Sequence, residues 1–137
     1  MTETRIEYLS KPDLKNPILI EGLPGIGHVG KLAAEHIIEE LEAKKFAELH
    51  SDYFPHHVLI DSDGVLRPVK NEFFSVRLGD NDVIALVGDV QATSSEGHYQ
   101  VTKEILNLAE EFNVSQIFTL GGYATGQYSK TKPKVVG

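Results

Sequence analysis

A cluster of glycines near the start of the chain carries its most distinctive pattern. Residues 25–30, Gly-Ile-Gly-His-Val-Gly, match G-x-G-x-x-G, which binds the pyrophosphate of a dinucleotide between a strand and a helix. Residues 25–31 also match G-x-x-x-x-G-K, the opening of a P-loop. Leu32 stands where a P-loop has the Ser or Thr that binds Mg²⁺, so the magnesium ligand is missing.

The dinucleotide fingerprint is incomplete as well. It requires an acidic residue on a second strand about 20 residues further on. Glu48 and Asp52 lie near that distance, but the residues around them fit the pattern poorly. Glycines also allow a helix to pack closely on the strand before it. We favour this packing role, with nucleotide binding as the alternative.

Three loops rich in glycine and small polar residues follow apolar segments that read as strands. They are residues 22–30, 89–98 and 121–128. Ligands in open α/β sheets bind outside the carboxyl ends of the strands, so we expect these loops to form one crevice. The candidate ligand-binding residues are Gly25, Gly27, His28, Asp89, Gln91, Ser94, Ser95, Glu96, His98 and Tyr123.

The same residues come nearest to a serine hydrolase, but the pattern is weak. Ser94 or Ser95 with a histidine and an acid would supply nucleophile, base and orienting group. No G-x-S-x-G elbow holds either serine. Residues 94–98 are more typical of a helix start, with serine as the N-cap. No catalytic residue is assigned, and the sequence leans against an enzyme.

Metal and cofactor sites are not predicted either. The chain has no cysteine and no H-E-x-x-H motif among its six histidines. His56 and His57 are adjacent on a predicted strand and point to opposite faces. His36 lies on the apolar side of a predicted helix and is interpreted as a core or interface residue.

Composition limits the classes of partner and the compartment. A chain of 137 residues corresponds to one domain. The net charge of −7, without a long basic run, argues against nucleic acid. No apolar run is long enough to cross a bilayer, and no secretory signal is visible. The absence of cysteine is compatible with a reducing compartment, so we expect a cytoplasmic protein.

Apolar periodicity predicts alternating strands and helices. The predicted strands are 5–9, 17–21, 45–49, 82–88 and 116–120, and the predicted helices are 27–43 and 96–112. In the first helix the apolar positions are Val29, Leu32, Ala33, His36, Ile37 and Leu41. Between the helices, strands 57–61 and 65–70 are joined by Ser62-Asp63-Gly64, a strong hairpin signal, and 71–78 forms another strand.

These elements predict an α/β fold, a three-layer Rossmann-like sandwich with a mixed, mainly parallel sheet. The residues around 56–78 form a β-hairpin excursion from it. Residues 133–136 are predicted to begin a further strand with no helix to cover it. We therefore expect residues 1–137 to form one α/β domain that is incomplete at its C-terminal end.

Several segments together resemble the PAC2 family, the proteasome assembly chaperone 2 family. They are Asn16–Ile37 (NPILIEGLPGIGHVGKLAAEHI), the Gly88-Asp89-Val-Gln91 turn with its surroundings, and IFTLGGYATG from Ile117. The resemblance covers about residues 16–137. It implies a Rossmann-like sandwich similar to phosphorylase/hydrolase-like folds and assembly into homo-oligomers. The archaeal members were earlier grouped with ATP-grasp enzymes, and the family has no established catalytic set.

The resemblance also implies a kind of partner. Eukaryotic relatives bind proteasome α subunits, and some archaeal relatives bind the proteasome through a tail that ends in hydrophobic-Tyr-X. This chain ends in Pro133-Lys-Val-Val-Gly137, without a penultimate tyrosine, so tail-mediated binding is not predicted from it. The main hypothesis is an interaction protein that binds proteasome α subunits or a similar partner. The alternative is a small-molecule or nucleotide-binding enzyme, ATP-grasp-related or hydrolase/phosphorylase-like, that uses the crevice.

Overall fold

The computed structural model describes residues 3–137, and a six-stranded sheet lies at its centre. The order of strands across the sheet is β1-β3-β6-β7-β2-β8, and β4 and β5 form a separate two-stranded sheet. In chain order the elements are β1 (Thr4–Tyr8), β2 (Ile18–Gly22), a 3₁₀ helix (Ile26–His28), α1 (Val29–Glu40), β3 (Lys44–Ser51), β4 (Val58–Ile60), β5 (Leu66–Pro68), β6 (Asn71–Val76), β7 (Val83–Gly88), α2 (Ser95–Glu111) and β8 (Gln116–Thr119).

Two kinds of strand pairing divide the sheet. Strand β2 pairs in parallel with both β7 and β8, whereas β1, β3, β6 and β7 pair antiparallel in succession. The predicted α/β class and mixed sheet are confirmed. The parallel part of the six-stranded sheet is confined to β7, β2 and β8, and the other three of its five strand pairings are antiparallel.

The two helices contact the sheet through alternate positions of its strands. On one side, Leu19 of β2 and Leu86 of β7 belong to the same buried apolar cluster as Val101 of α2. Gly22 of β2, three positions from Leu19, lies instead against α1, which also contacts β7. Successive residues of a strand face opposite sides of the sheet, so two residues three positions apart face opposite sides. Leu19 and Gly22 therefore place α2 and α1 on different sides of β2. Every residue of β7 is buried, as expected for a central strand covered on both sides.

The predicted hairpin forms, but the excursion is shorter than expected. Strands β4 and β5 pair antiparallel, and the turn is closed by the Asp61 N–H, which donates to the Val65 carbonyl at 2.9 Å. Gly64 has a φ of +77°, which favours glycine. The expectation that the excursion extends to residue 78 is wrong, because β6 pairs with β3 and β7 in the main sheet.

Other boundaries differ from the sequence pattern for local reasons. Helix α1 begins at Val29 rather than at 27, because His28 has a left-handed φ of +53°. It ends before Glu42, whose φ is +51°. The predicted strand 133–136 is wrong: this segment has no strand neighbour in the described chain and is exposed. Within residues 3–137, no helix is both long and apolar enough to cross a membrane.

Candidate functional site: exposed apolar surfaces and a cavity at the strand ends

The glycine motif is built for close backbone packing. A Cβ atom added at Gly30 would lie 2.0 Å from the carbonyl oxygen of Leu120, in the segment that leaves β8. A Cβ added at Gly22 would lie 2.3 Å from the carbonyl oxygen of Gly30 and 2.5 Å from Cβ of Ala34. The first turns of α1 therefore rest directly on β2 and on the exit of β8. This contact accounts for Gly30 of the G-x-G-x-x-G motif, and for Gly22 before it, without any ligand.

The other two glycines of the motif, Gly25 and Gly27, lie in the turn before α1. Gly27 has a φ of +62°, whereas Gly25 is extended with nothing within 4 Å of an added Cβ. The segment after β8 crosses this turn closely, since a Cβ at Gly122 would lie 2.7 Å from the carbonyl oxygen of Ile26. The turn is thus covered by protein backbone on the side that faces β8.

The large apolar side chains in the first turns of helix α1, Val29 and Leu32, are exposed to solvent. The helix packs on the sheet through the small buried residues Gly30 and Ala34. The sequence pattern placed Val29, Leu32, Ala33, His36, Ile37 and Leu41 on one apolar side, but the first four are exposed, Leu32 at 60%, whereas Ile37 and Leu41 are half-buried. His36 is therefore not a core residue. We call the exposed stripe, with the neighbouring Ile26, the α1 surface (Ile26, Val29, Leu32, Ala33, His36).

The hairpin also exposes an apolar face. The paired residues Val58 and Pro68 share that face with the pair Ile60 and Leu66. Ile60 is 71% and Leu66 64% exposed. We call these four residues the hairpin surface.

An ion pair ties the hairpin to the end of β7. The Arg67 guanidinium of β5 donates to both carboxylate oxygens of Asp89, at 2.6 and 3.2 Å. The backbone N–H of Lys70 donates to the same carboxylate at 3.1 Å. Burial alone would raise the pKa of Asp89, but these hydrogen bonds outweigh it and lower the pKa. Asp89, a candidate ligand residue, therefore anchors the hairpin.

A cavity of about 290 Å³ opens beside α2 at the carboxyl ends of β2 and β8. Its volume is at the lower limit for small-molecule sites. The apolar lining consists of Leu19, Leu23, Ala92, Val101, Ile105, Leu106 and Ile117. The polar lining consists of Glu21, Asn71, Gln91, His98, Thr102 and Thr119.

Of the ten candidate ligand residues, the cavity brings together Gln91 and His98. Gln91 also donates from its amide nitrogen to the Pro24 carbonyl, which ties the loop after β7 to the loop after β2. Both side chains are exposed and lie at the rim. Both residues come from the same predicted loop, residues 89–98, so the convergence of all three loops on one crevice stays a prediction.

The other eight candidates lie outside the cavity lining. Ser94 is the N-cap of α2, where its hydroxyl accepts from the Gly97 N–H at 3.1 Å, as predicted for one of the two serines. Glu96 accepts from the Tyr53 hydroxyl at 3.0 Å. Tyr123 is 88% exposed. The remaining five are Gly25, Gly27, His28, Ser95 and Asp89.

Sequence reasoning missed the most unusual residue of the cavity, Glu21. Burial raises its pKa, an effect that a hydrogen bond from the Leu23 N–H to the carboxylate (3.0 Å) only partly offsets. The signal was available, because an acidic residue ends the apolar run of the second strand. Asn71, which is fully buried, was also missed. Its amide nitrogen faces the carbonyls of Lys70 and Val90 and donates to both at 3.1 Å.

Metal binding finds no support in the part of the chain that the structure describes. Among residues 3–137, no three His, Asp or Glu side chains are grouped so that they could hold an ion.

Comparison with known proteins identifies a family and several relatives. The PAC2 family matches residues 19–137. An uncharacterised protein of Methanocaldococcus jannaschii is 42% identical over 114 residues, which are 83% of this chain and 44% of that protein.

Two solved structures from Pyrococcus furiosus are similar over nearly the whole chain. PbaB, described as an archaeal proteasome activator, is 48% identical with a TM-score of 0.90, covering 94% of this chain and 55% of PbaB. PbaA, described as an archaeal homologue of a proteasome-assembly chaperone, is 27% identical with a TM-score of 0.68, covering 93% of this chain and 53% of PbaA. The chain thus spans about half the length of these relatives.

Proposed function

The chain belongs to the PAC2 family, and on that premise we propose that it is an interaction protein that acts with the proteasome. The observation that carries this proposal is the likeness to PbaB, with 48% identity and a TM-score of 0.90. Likeness to PbaA supports the same chaperone-like or activator-like role. We infer that the partner is the α subunit of the proteasome or a similar protein.

The fold and setting proposed for the whole protein follow from the same premise. The alternation of contacts on β2 and β7 supports a three-layer, Rossmann-like sandwich within one α/β domain, with α1 and α2 on opposite faces of the sheet. We propose that the protein works in the cytoplasm as a homo-oligomer.

The α1 surface is the contact region that the geometry favours. Its residues continue from the 3₁₀ helix into the first two turns of α1, which packs closely on the sheet through Gly30 and Ala34. The cores of protein interfaces are depleted in charge, and this stripe lacks acidic side chains in a chain with a net charge of −7. A helix face of this kind, without Asp, Glu, Lys or Arg, is suited to docking against another protein.

An enzyme that uses the strand-end crevice has less support. The cavity lining contains no serine or lysine that could act as a nucleophile, and the two candidate serines lie outside it. Backbone packing accounts for Gly22 and Gly30, so these two glycines need no nucleotide to explain them. A nucleotide bound at the turn before α1 would have to avoid the backbone already packed against Gly22 and Gly30.

A charge placed on the α1 surface tests the proposal. Leu32→Glu should weaken binding to proteasome α subunits from the same source at least tenfold, measured by biolayer interferometry, because a charge in an interface core must be desolvated. Gln100→Glu, an exposed position on α2 that adds the same charge, is the matched control and should bind as the original chain does. Unchanged binding of Leu32→Glu would remove this surface from the interface.

A further inference from the structure

The cavity lies beside β2, the middle strand of the parallel part of the sheet. Strand β2 is flanked by β7 on one side and β8 on the other, and both pairings are parallel. Ligands in open α/β sheets bind in the crevice outside the carboxyl ends of the strands. The cavity at the ends of β2 and β8 occupies this position, on the side of α2.

Glu21 differs from the other half-buried carboxylates of the molecule. Glu48 is bound by Lys45 and Lys70, and Asp89 is bound by Arg67. Within residues 3–137, no Lys, Arg or His nitrogen comes within 4.0 Å of the Glu21 carboxylate, whose hydrogen bond is to the Leu23 N–H. A partly buried carboxylate without a cation is costly, so this group is poised to gain a positively charged partner.

The surroundings of Glu21 limit what that partner can be. The walls beside it are aliphatic, with Val101 and Ile105 from α2 and Ile117 from β8. Thr102 and Thr119 add neutral hydroxyls, which can accept hydrogen bonds from an ammonium group. A small hydrated ion would leave the aliphatic walls unused, whereas an aliphatic chain would cover them.

We propose that this cavity binds a small organic cation, a primary ammonium group on a short aliphatic chain, with Glu21 as the charge partner. The ammonium group donates to the Glu21 carboxylate, and the aliphatic chain lies along Val101, Ile105 and Ile117. Gln91 and His98, at the rim, face any polar group at the far end of the ligand. This site goes beyond the proteasome-related role and does not depend on it.

Titration with n-pentylammonium chloride, followed by ¹⁵N chemical shifts of the complete chain at pH 7, tests the proposal. The amide signals of Glu21, Leu23 and Ile117 should move saturably. Glu21→Gln should weaken binding at least tenfold, whereas Glu39→Gln, an exposed carboxylate on α1, should leave it unchanged. The neutral 1-pentanol should bind the original chain more weakly than n-pentylammonium does. The Glu21→Gln variant should bind the two compounds with equal affinity.

A second variant separates loss of the site from loss of folding. Thr102 is exposed on α2 and lines the cavity, so Thr102→Trp fills the cavity without entering the core. It should abolish the saturable shifts while the remaining spectrum is retained. Unchanged affinity in Glu21→Gln or in Thr102→Trp would overturn the proposal, as would shifts that never saturate or that miss Ile117.

Discussion

Two glutamates show how the surroundings of a residue determine what its charge does. Burial alone would raise the pKa of Glu48, but hydrogen bonds from Lys45 and Lys70 outweigh burial and lower the pKa from 4.5 to about 2. Glu21 has no such cation among the described residues, and burial raises its pKa. The first carboxylate stabilises the fold, whereas the second is available for a ligand.

Glu48→Gln should therefore destabilise the protein in a pH-dependent way. The folded-state pKa is below the unfolded value, so the contribution of Glu48 is present above pH 4.5 and is lost as the pH falls through about 2. At 1.36 kcal/mol per pKa unit, the substitution should lower the free energy of unfolding by about 3 kcal/mol at pH 7. Urea unfolding at pH 7 and pH 2.5 measures the difference, which should fall below about 1 kcal/mol at the lower pH.

Glu39→Gln, at an exposed site, should change the free energy of unfolding by less than about 0.5 kcal/mol at either pH. An equal loss at both pH values in Glu48→Gln would show that the ion pairs are not the cause.

Sequence reasoning at this scale succeeded where one residue type has one local role. Ser94 was recognisable as a cap because its hydroxyl bonds only three residues ahead. Asp89 was assigned to a crevice, but Arg67, 22 residues away, binds it. Such a pairing depends on the hairpin folding back to β7, which no local pattern encodes.

At the scale of elements, α1 is defined by how closely it approaches the sheet. The contacts of Gly22 and Gly30 leave no room for side chains between the helix, β2 and the segment after β8. Val29 and Leu32 are consequently turned away from the sheet, which produces the exposed α1 surface. The packing of small residues and the exposure of large ones are two results of the same contact.

Gly30→Ala tests this contact directly. The added Cβ would approach the Leu120 carbonyl oxygen to 2.0 Å, so the helix or the β8 exit must shift. We expect a loss of about 1–3 kcal/mol in the free energy of unfolding, measured by urea denaturation. Gly25→Ala is the matched control, since its Cβ meets nothing within 4 Å and its φ of −157° is open to any residue. It should stay within about 0.5 kcal/mol of the original chain, and equal losses in both variants would contradict the packing explanation.

The strands and helices were largely predictable, whereas the faces of α1 were not. Strand β7 reads directly from an unbroken apolar run, and the hairpin reads from Asp63-Gly64 between two strands. In α1, apolar periodicity marked Leu32 and its neighbours as one side, but the helix packs through Gly30 and Ala34 instead. Hydrophobicity alone favours the larger residues, and only the backbone distance shows that the smaller ones form the contact.

At the scale of the whole molecule, uncovered apolar surface is the main feature. Besides the α1 and hairpin surfaces, the edge strand β8 is exposed along its length, with Phe118 at 47%. Large exposed apolar areas mark places where other protein surfaces bind. The chain spans about half the length of its relatives, so part of this surface is also available to other parts of a longer protein. The Leu32→Glu substitution tests whether the α1 surface, rather than the hairpin surface or β8, contacts the partner.

Native mass spectrometry of the full-length protein, alone and mixed with proteasome α subunits from the same source, tests the central claim most directly. We expect a mixed complex of defined mass that contains both proteins. A protein that forms only its own oligomer and ignores the α subunits at micromolar concentration would contradict the proposed function.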